Sequence, residues 1–263
     1  MWNNIRNIYN QRFLILSMAK REIAAQYVGS SLGFVWTFIH PLVLIFVFWF
    51  VFSVGFKAKP MNDIPFVVWL TAGMAPWFLF SQIISSSAGV VVAHANLIKK
   101  TLFHAEILPV ITIVAGSVTH LAFLLLLLCL LVLQHIAFSL YVFQFFYYLF
   151  CLWVLCLGLG WMVSALHVFL RDVAQLVGVV MQVGFWVTPV FWDIHIMPDK
   201  VQTILQLNPM FYIVQGYRDS FISGQGFWHH PWLTLYFWVF TLGTLYLGNF
   251  IFRRLQPQFA DVL

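Results

Sequence analysis

Six separated apolar stretches, at about 33–56, 64–90, 109–134, 143–166, 173–192 and 232–252, constrain this chain more than any other feature of its sequence. A helix crosses the roughly 30 Å hydrocarbon core of a bilayer with about 20 apolar residues, so each stretch is long enough to span with some tilt. Backbone in lipid must satisfy its own hydrogen bonds, which leaves helices as the structure for runs of this length. The expectation is an all-α integral membrane protein with six transmembrane helices. Composition bears on one point: 62% of the 263 residues are apolar and only 8% charged, too few charges to cover a soluble surface.

An even number of spans puts both termini on one side, and the basic residues say which. With the termini in the cytoplasm, the inner set is Arg6, Arg12, Lys20, Arg21, Lys99, Lys100, Arg171, Arg253 and Arg254, while Lys57, Lys59, Lys200 and Arg218 lie outside. The positive-inside rule favours that orientation. The net charge of +5 is therefore a topology signal. No dense Lys/Arg patch with interleaved aromatics is present, which excludes a nucleic-acid-binding surface.

The organisation that follows has three parts. Residues 1–30 form a cytoplasmic amphipathic helix at the interface, where Ile5, Tyr9, Phe13, Leu16, Ile23 and Tyr27 recur at helical spacing among Arg and Asn residues. Residues 31–255 form the transmembrane domain, with a cytoplasmic segment at 94–106, and residues 256–263 a cytoplasmic tail. Between the fifth and sixth spans, residues 193–231 hold Pro198, Pro209 and Pro231 among Gly and aromatic residues, a composition that fits two short re-entrant or interfacial helices.

Chemistry on the chain itself is sparse. There is no G-x-x-x-x-G-K-[ST] phosphate loop, so any ATP-driven step belongs to another subunit. Acids and bases lie at or outside the span ends, which disfavours proton or sodium coupling. His40 and His120 fall within spans; a packed, hydrogen-bonded neutral histidine is the expectation for each, with His40 also a candidate site residue. Cys129, Cys151 and Cys156 show neither a C-x-x-C spacing nor an even count, so neither metal site nor disulfide is indicated.

His167 and Asp172 have the His-x4-Asp spacing of membrane acyltransferases, in which the acid orients a basic histidine. A structural ion pair of Arg171 with Asp172 explains the same residues. Trp2, Trp69, Trp77, Trp192, Trp228 and Trp232 read as interfacial aromatics. Deeper rings such as Trp36, Trp49, Trp153, Trp161 and Trp186 could offer flat faces to sugar rings, with core packing accounting for most. Gly29-x-x-x-Gly33 and Gly158-Leu-Gly160 are places where helices could approach closely.

The stretch Gln26-Tyr27-Val28-Gly29-Ser30-Ser31-Leu32-Gly33-Phe34-Val35-Trp36, followed by Pro41-Leu42, resembles the entry to the first span in membrane subunits of type-two ABC exporters of polysaccharides. Leu97-Ile98-Lys99-Lys100-Thr101-Leu102-Phe103-His104-Ala105-Glu106-Ile107-Leu108-Pro109 is similar to that family's cytoplasmic connection. Arg171-Asp172-Val173 resembles the turn after its fourth span, and Thr188-Pro189-Val190-Phe191 with Leu207-Asn208-Pro209 its fifth span and re-entrant region. The likeness covers nearly the whole chain. Departures lie at Gln26, His40, His104 and Ala105; many relatives carry Arg at the first and Pro-Arg at the last two.

The resemblance implies a permease subunit without enzymatic activity, working in the bacterial inner membrane as a homodimer on two copies of an ATPase subunit that hold ATP and Mg. The cargo it implies is a lipid-linked or lipid-terminated polysaccharide of O-antigen, capsule or teichoic acid type, with periplasmic adaptor or outer-membrane export proteins as further partners. Lys99, Lys100, His104, Glu106 and Arg21 are then the residues expected to couple to the ATPase, and Trp36, His40, Trp186, Phe191 and Trp192 those expected along the path. Two other readings remain from the residues: a membrane glycosyl- or acyltransferase using His167 and Asp172, and an ABC permease for lipids or drugs.

Overall fold

A computed structural model describes residues 7, 9–57, 64–100, 103–137 and 139–263. Trp2, Ile5, Arg6, Lys59, Thr101 and Leu102 lie outside the described residues, as does the side chain of Lys100. The described chain is helical throughout, without a β-strand. In order, the helices are α1 (Arg12–Gln26), α2 (Trp36–Trp49), α3 (Phe66–Ala93), α4 (Ala95–Lys100), α5 (Leu108–Leu133), α6 (Phe145–Phe169), α7 (Asp172–Val187), α8 (Asp199–Gln206), α9 (Pro209–Arg218), α10 (Pro231–Leu255) and α11 (Phe259–Val262).

Prolines mark several helix starts, where the missing N–H costs nothing and φ is preset. Pro65 precedes α3, and Pro109, Pro209 and Pro231 occupy the first turns of α5, α9 and α10. At α9 the Asn208 side-chain Oδ1 accepts from Met210 N at 3.0 Å, which caps an otherwise orphaned donor.

Among the described residues, five helical segments are long and apolar enough to cross a membrane: Gly33–Gly55, Phe66–Ala93, Ala105–Leu133, Leu140–Phe169 and Pro231–Val262. The expected fifth stretch, 173–192, differs. It forms α7, whose 16 residues extend only about 24 Å before Thr188 turns to extended backbone. The physical reason is Pro189, which disfavours helical geometry at the residue before it and offers no N–H to continue the ladder.

α3 is the central pillar, with 78% of its apolar window buried inside the protein, whereas the first span is only 11% buried. A broad apolar face of α2, including Leu42, Val43, Phe46 and Val47, is therefore exposed, as are Leu176, Val179, Val180 and Val183 on α7. In lipid such faces carry no solvation penalty.

The tightest helix crossing joins α6 to α10. A Cβ on Gly158 would sit 2.7 Å from Leu245 Cα, and one on Gly248 would collide with the Gly158 carbonyl. Backbones meet directly here, as expected at Gly158. The other glycine pair behaves differently: Gly29 and Gly33 adopt φ of +79° and +50° with nothing within 4 Å, so they shape the turn between α1 and α2.

The 193–231 segment contains the short helices α8 and α9, and the second is enclosed. Met210, Phe211, Tyr212, Ile213, Val214, Gly216, Tyr217 and Arg218 are all buried. Gly216 lies against the Tyr148 ring, and Tyr217 Oη meets His120 Nε2 at 2.9 Å near the midpoint of α5. That contact meets the expectation of a packed, hydrogen-bonded His120. A tether of hydroxyls secures the same helix: Tyr212 Oη lies 3.1 Å from Tyr147 Oη and 3.0 Å from Thr234 Oγ1, while Trp238 donates to Tyr147 Oη at 2.9 Å.

Gly248→Ala should force α6 and α10 apart and cost about 1–3 kcal/mol by overpacking. Gly243→Ala, with open space at its Cβ, should not. Thermal unfolding of the two variants in detergent, followed by tryptophan fluorescence, checks the difference.

Candidate functional site

At one end of the bundle the N-terminal helix, the 94–107 connection and the C-terminal tail converge on a single carboxylate. Glu106 is only 4% exposed. Its Oε1 accepts from Asn7 Nδ2 at 2.9 Å and its Oε2 from Gln256 Nε2 at 3.1 Å. The Trp161 indole donates to the Glu106 carbonyl at 2.9 Å, adding α6 to the same point. Beside it, Gln11 Nε2 and His104 Nδ1 lie 2.8 Å apart, a second link from the N-terminal helix to the connection. Phe259 of the tail is fully buried against Phe252 and Phe169.

A buried carboxylate is tolerated when donors face its oxygens, and two amides from opposite ends of the chain supply them here. Glu106 thus holds elements together and is not itself a contact surface. Lys99 and Arg21 remain exposed and free to meet another protein. Of the expected coupling residues, Glu106 is a buried clamp, His104 lies exposed beside it, and Arg21 and Lys99 are exposed cations on α1 and α4.

α1 rests on α5 through Ile15 and Ala19. The apolar stripe read from the sequence faces away: Tyr9, Phe13 and Leu16 are exposed, and the Arg12 guanidinium stacks 4.8 Å from both the Tyr9 and Phe13 rings. A helix with one face on protein and an aromatic face outward is built for the membrane interface. Between α1 and the end of α3 is a cavity of about 830 Å³ lined by Arg21, Glu22, His94 and Leu97, among others. Burial pushes the Glu22 carboxyl above the usual carboxylate range, with His94 partly opposing the shift. Sequence reasoning missed this pair, because an acid and a histidine 72 positions apart give no local signal.

The residues expected along the path fall in two groups. Trp36 and His40 are exposed one turn apart on α2, beside a cavity of about 470 Å³ shared with Gln26, Thr37, Gln82 and Thr119. His40 is thus not packed between helices, contrary to the expectation. Trp186, Phe191 and Trp192 cluster at the far end of α7: Phe191 lies 4.9 Å from the Trp186 ring, and the Trp192 indole donates to Trp186 O at 3.1 Å. Trp186 is exposed, Trp192 half-buried and Phe191 buried against Phe48 and Phe52 of the α2 segment.

The other candidates do not assemble. Arg171 and Asp172 form no ion pair; among the described residues the acid–base contacts are His195 with Asp193 and His230 with Asp219. Adjacent helical residues point apart, and Asp172 occupies the first turn of α7, where a carboxylate meets the positive end of the helix dipole. His167 Nδ1 is buried without a partner, so no His–Asp dyad exists for acyl transfer. Among the described residues no three His, Cys, Asp or Glu side chains gather as a metal site requires.

Glu106→Gln should break one of the two ties, since an amide nitrogen cannot accept from a second amide. Hydrogen bonds to charged groups contribute about 1.5–3 kcal/mol, so faster amide exchange in residues 12–26 and in the tail is expected, with helices α3 and α6 unchanged. Glu22→Gln should act in the opposite sense and with pH. A raised folded-state pKa means that stability is lost as pH climbs from the ordinary glutamate value to the raised one. The variant should therefore unfold at higher temperature than the parent at pH 7.5, with the gain vanishing in acid below the ordinary glutamate range.

The family model described as "ABC-2 type transporter" matches residues 14–222. Two proteins named O-antigen export system permease protein RfbA are similar over almost their whole length. That of Klebsiella pneumoniae is 23% identical over 99% of this chain and 100% of its own, and that of Myxococcus xanthus 27% identical over 98% of each. Polysialic acid transport protein KpsM of Escherichia coli is 22% identical over 92% of this chain and 93% of its own. With its long apolar helices and its clamp of connection and termini, the chain belongs to the ABC-2 type transporter family, as a multi-pass membrane subunit.

Proposed function

We propose that this chain is the membrane subunit of an exporter that carries a lipid-linked or lipid-terminated polysaccharide, of O-antigen or capsule type, across the bacterial inner membrane. The observation that carries this reading is the end-to-end similarity to O-antigen permeases within the ABC-2 family match. The chain is not itself an enzyme; ATP and Mg belong to a separate ATPase, and two copies of each subunit make the working unit.

A six-span topology is supported by the direction of the helices. Gln144, just before α6, bonds to Gln225 and Phe227 ahead of α10, while Trp161 of α6 and Gln256 after α10 both reach Glu106. α6 and α10 therefore run the same way, and the chain between them must return across the bundle, which α7 does. Both termini then share the Glu106 end, and the excess of Lys and Arg there argues for the cytoplasm.

In operation, ATP-driven closure of the partner subunits presses on Lys99 and Lys100 of the connection and on Arg21 of α1. Glu106 passes the displacement to α1, α6 and the tail together. The lipid-exposed faces of α2 and α7 meet those of the second copy, and Trp36, His40, Trp186 and Trp192 border the passage between them, with Phe191 bracing Trp186 from behind. Flat aromatic faces suit sugar rings without demanding a particular hydroxyl pattern.

The test is made in the native host. A tagged chain extracted in mild detergent should bring down a vanadate-sensitive ATPase in equal amount, and a strain lacking the chain should accumulate glycan inside the cell. Lys99→Glu/Lys100→Glu should insert normally yet abolish surface glycan; undiminished export in that variant would remove both residues from the coupling surface.

A further inference from the structure

At the end of the bundle away from the termini, Arg218 is 4% exposed and has no carboxylate within 4.0 Å among the described residues. Its Nη2 donates to Val190 O at 2.7 Å, its Cζ lies 3.5 Å from the centre of a Trp69 ring, and its Nε has no partner. The space it fills exists because residue 73 is glycine; a Cβ there would be 2.7 Å from Nη2. Burying a guanidinium is costly unless hydrogen bonds and opposite charge answer it, and the protein answers this one only in part.

The same guanidinium lines a cavity of about 630 Å³ that also presents Asp193, His195, Gln215 and Gln225 around Trp69. That volume lies within the roughly 300–1,000 Å³ typical of small-ligand sites. Asp193 Oδ1 is taken up by His195 N at 3.0 Å and His195 Nδ1 at 2.7 Å, and among the described residues Oδ2 has no hydrogen bond. The Gln225 side chain is exposed and without a hydrogen bond among the described residues; its backbone is held through Gln144 and Asp219. The cavity thus offers a fixed donor fork, an acceptor carboxylate and a carboxamide that is both.

We infer that this cavity is a subsite for one or two neutral sugar units of the transported glycan, held between Arg218 as donor and Asp193 as acceptor. The inference rests on the export reading above and adds to it a defined point of contact. Sugar hydroxyls donate and accept at once, so a mixed lining satisfies them, whereas a carboxylate or phosphate offers acceptors alone and would face the charge of Asp193. The site is formed within one chain, from the short helix α9, the turn after α7 and the first turn of α3. A unit leaving the passage beside Trp186 and Trp192 would reach it next, because Trp192 immediately precedes Asp193 in the chain.

The experiment uses the complex of permease and ATPase in nanodiscs, with mannobiose and digalacturonic acid as probes, read by saturation-transfer NMR. Mannobiose should receive saturation from the wild-type complex and lose it at least about fivefold with Asp193→Asn/Gln225→Ala, a variant that spares the Arg218 contacts and the turn held by Asp193 Oδ1. Digalacturonic acid should receive little from either. No transfer to mannobiose, equal transfer with the double variant, or a preference for the acidic sugar would each overturn the subsite. Surface glycan of a deletion strain separates the two layers: if it is lost on deletion while the double variant binds mannobiose like wild type, only the subsite falls. If surface glycan persists on deletion, the export reading falls and the subsite with it.

Discussion

A bilayer gives the backbone nothing to bond with, so a chain can leave helical geometry at depth only where its own groups replace the missing partners. Most of what distinguishes this protein follows from how it meets that demand after Val187. There the helix stops at Thr188–Pro189, and the exposed polar groups are answered in turn: Asn208 Nδ2 donates to Thr188 Oγ1 at 2.7 Å, and Arg218 Nη2 donates to Val190 O. Both donors flank α9, so the helix that follows the break is also what makes the break tolerable. Its docking through Tyr217 on His120 and Tyr212 on Tyr147 and Thr234 is part of the same solution.

The opposite end is organised by charge. One carboxylate, Glu106, ties residues from position 7 and position 256 to the connection between α3 and α5. Contacts of such sequence separation are expensive in chain entropy, and their worth lies in making distant elements move together. Lys99 and Arg21 are exposed, while the acid stays shielded from solvent.

Much of this was legible in the sequence, and the failures have physical causes. The long helices were readable from their apolar runs, and the absence of a phosphate loop pointed ATP chemistry to another subunit. What apolar periodicity cannot say in a membrane protein is which apolar face meets protein and which meets lipid, since both solvents select the same side chains. Hence the stripe of Tyr9, Phe13 and Leu16 was legible while the protein contact of α1, made by Ile15 and Ala19, was not. Arg218 was counted as an outer loop charge because burial of a lone arginine depends on Gly73 and Val190, far away in sequence. Gly29 and Gly33 match a packing motif by spacing, yet their positive φ shows that they serve a turn.

The direct backbone contact of Gly158 with Gly248 has a mechanical meaning. Two helices running the same way, with no side chain between them at their crossing, have almost no room to slide or rotate against each other. α6 and α10, joined by this contact, and α3, which packs on α6, form a frame that resists shear. α2 and α7 have large faces with no such anchorage. Any rearrangement of this chain therefore meets less internal resistance at α2 and α7 than at the seam between α6 and α10.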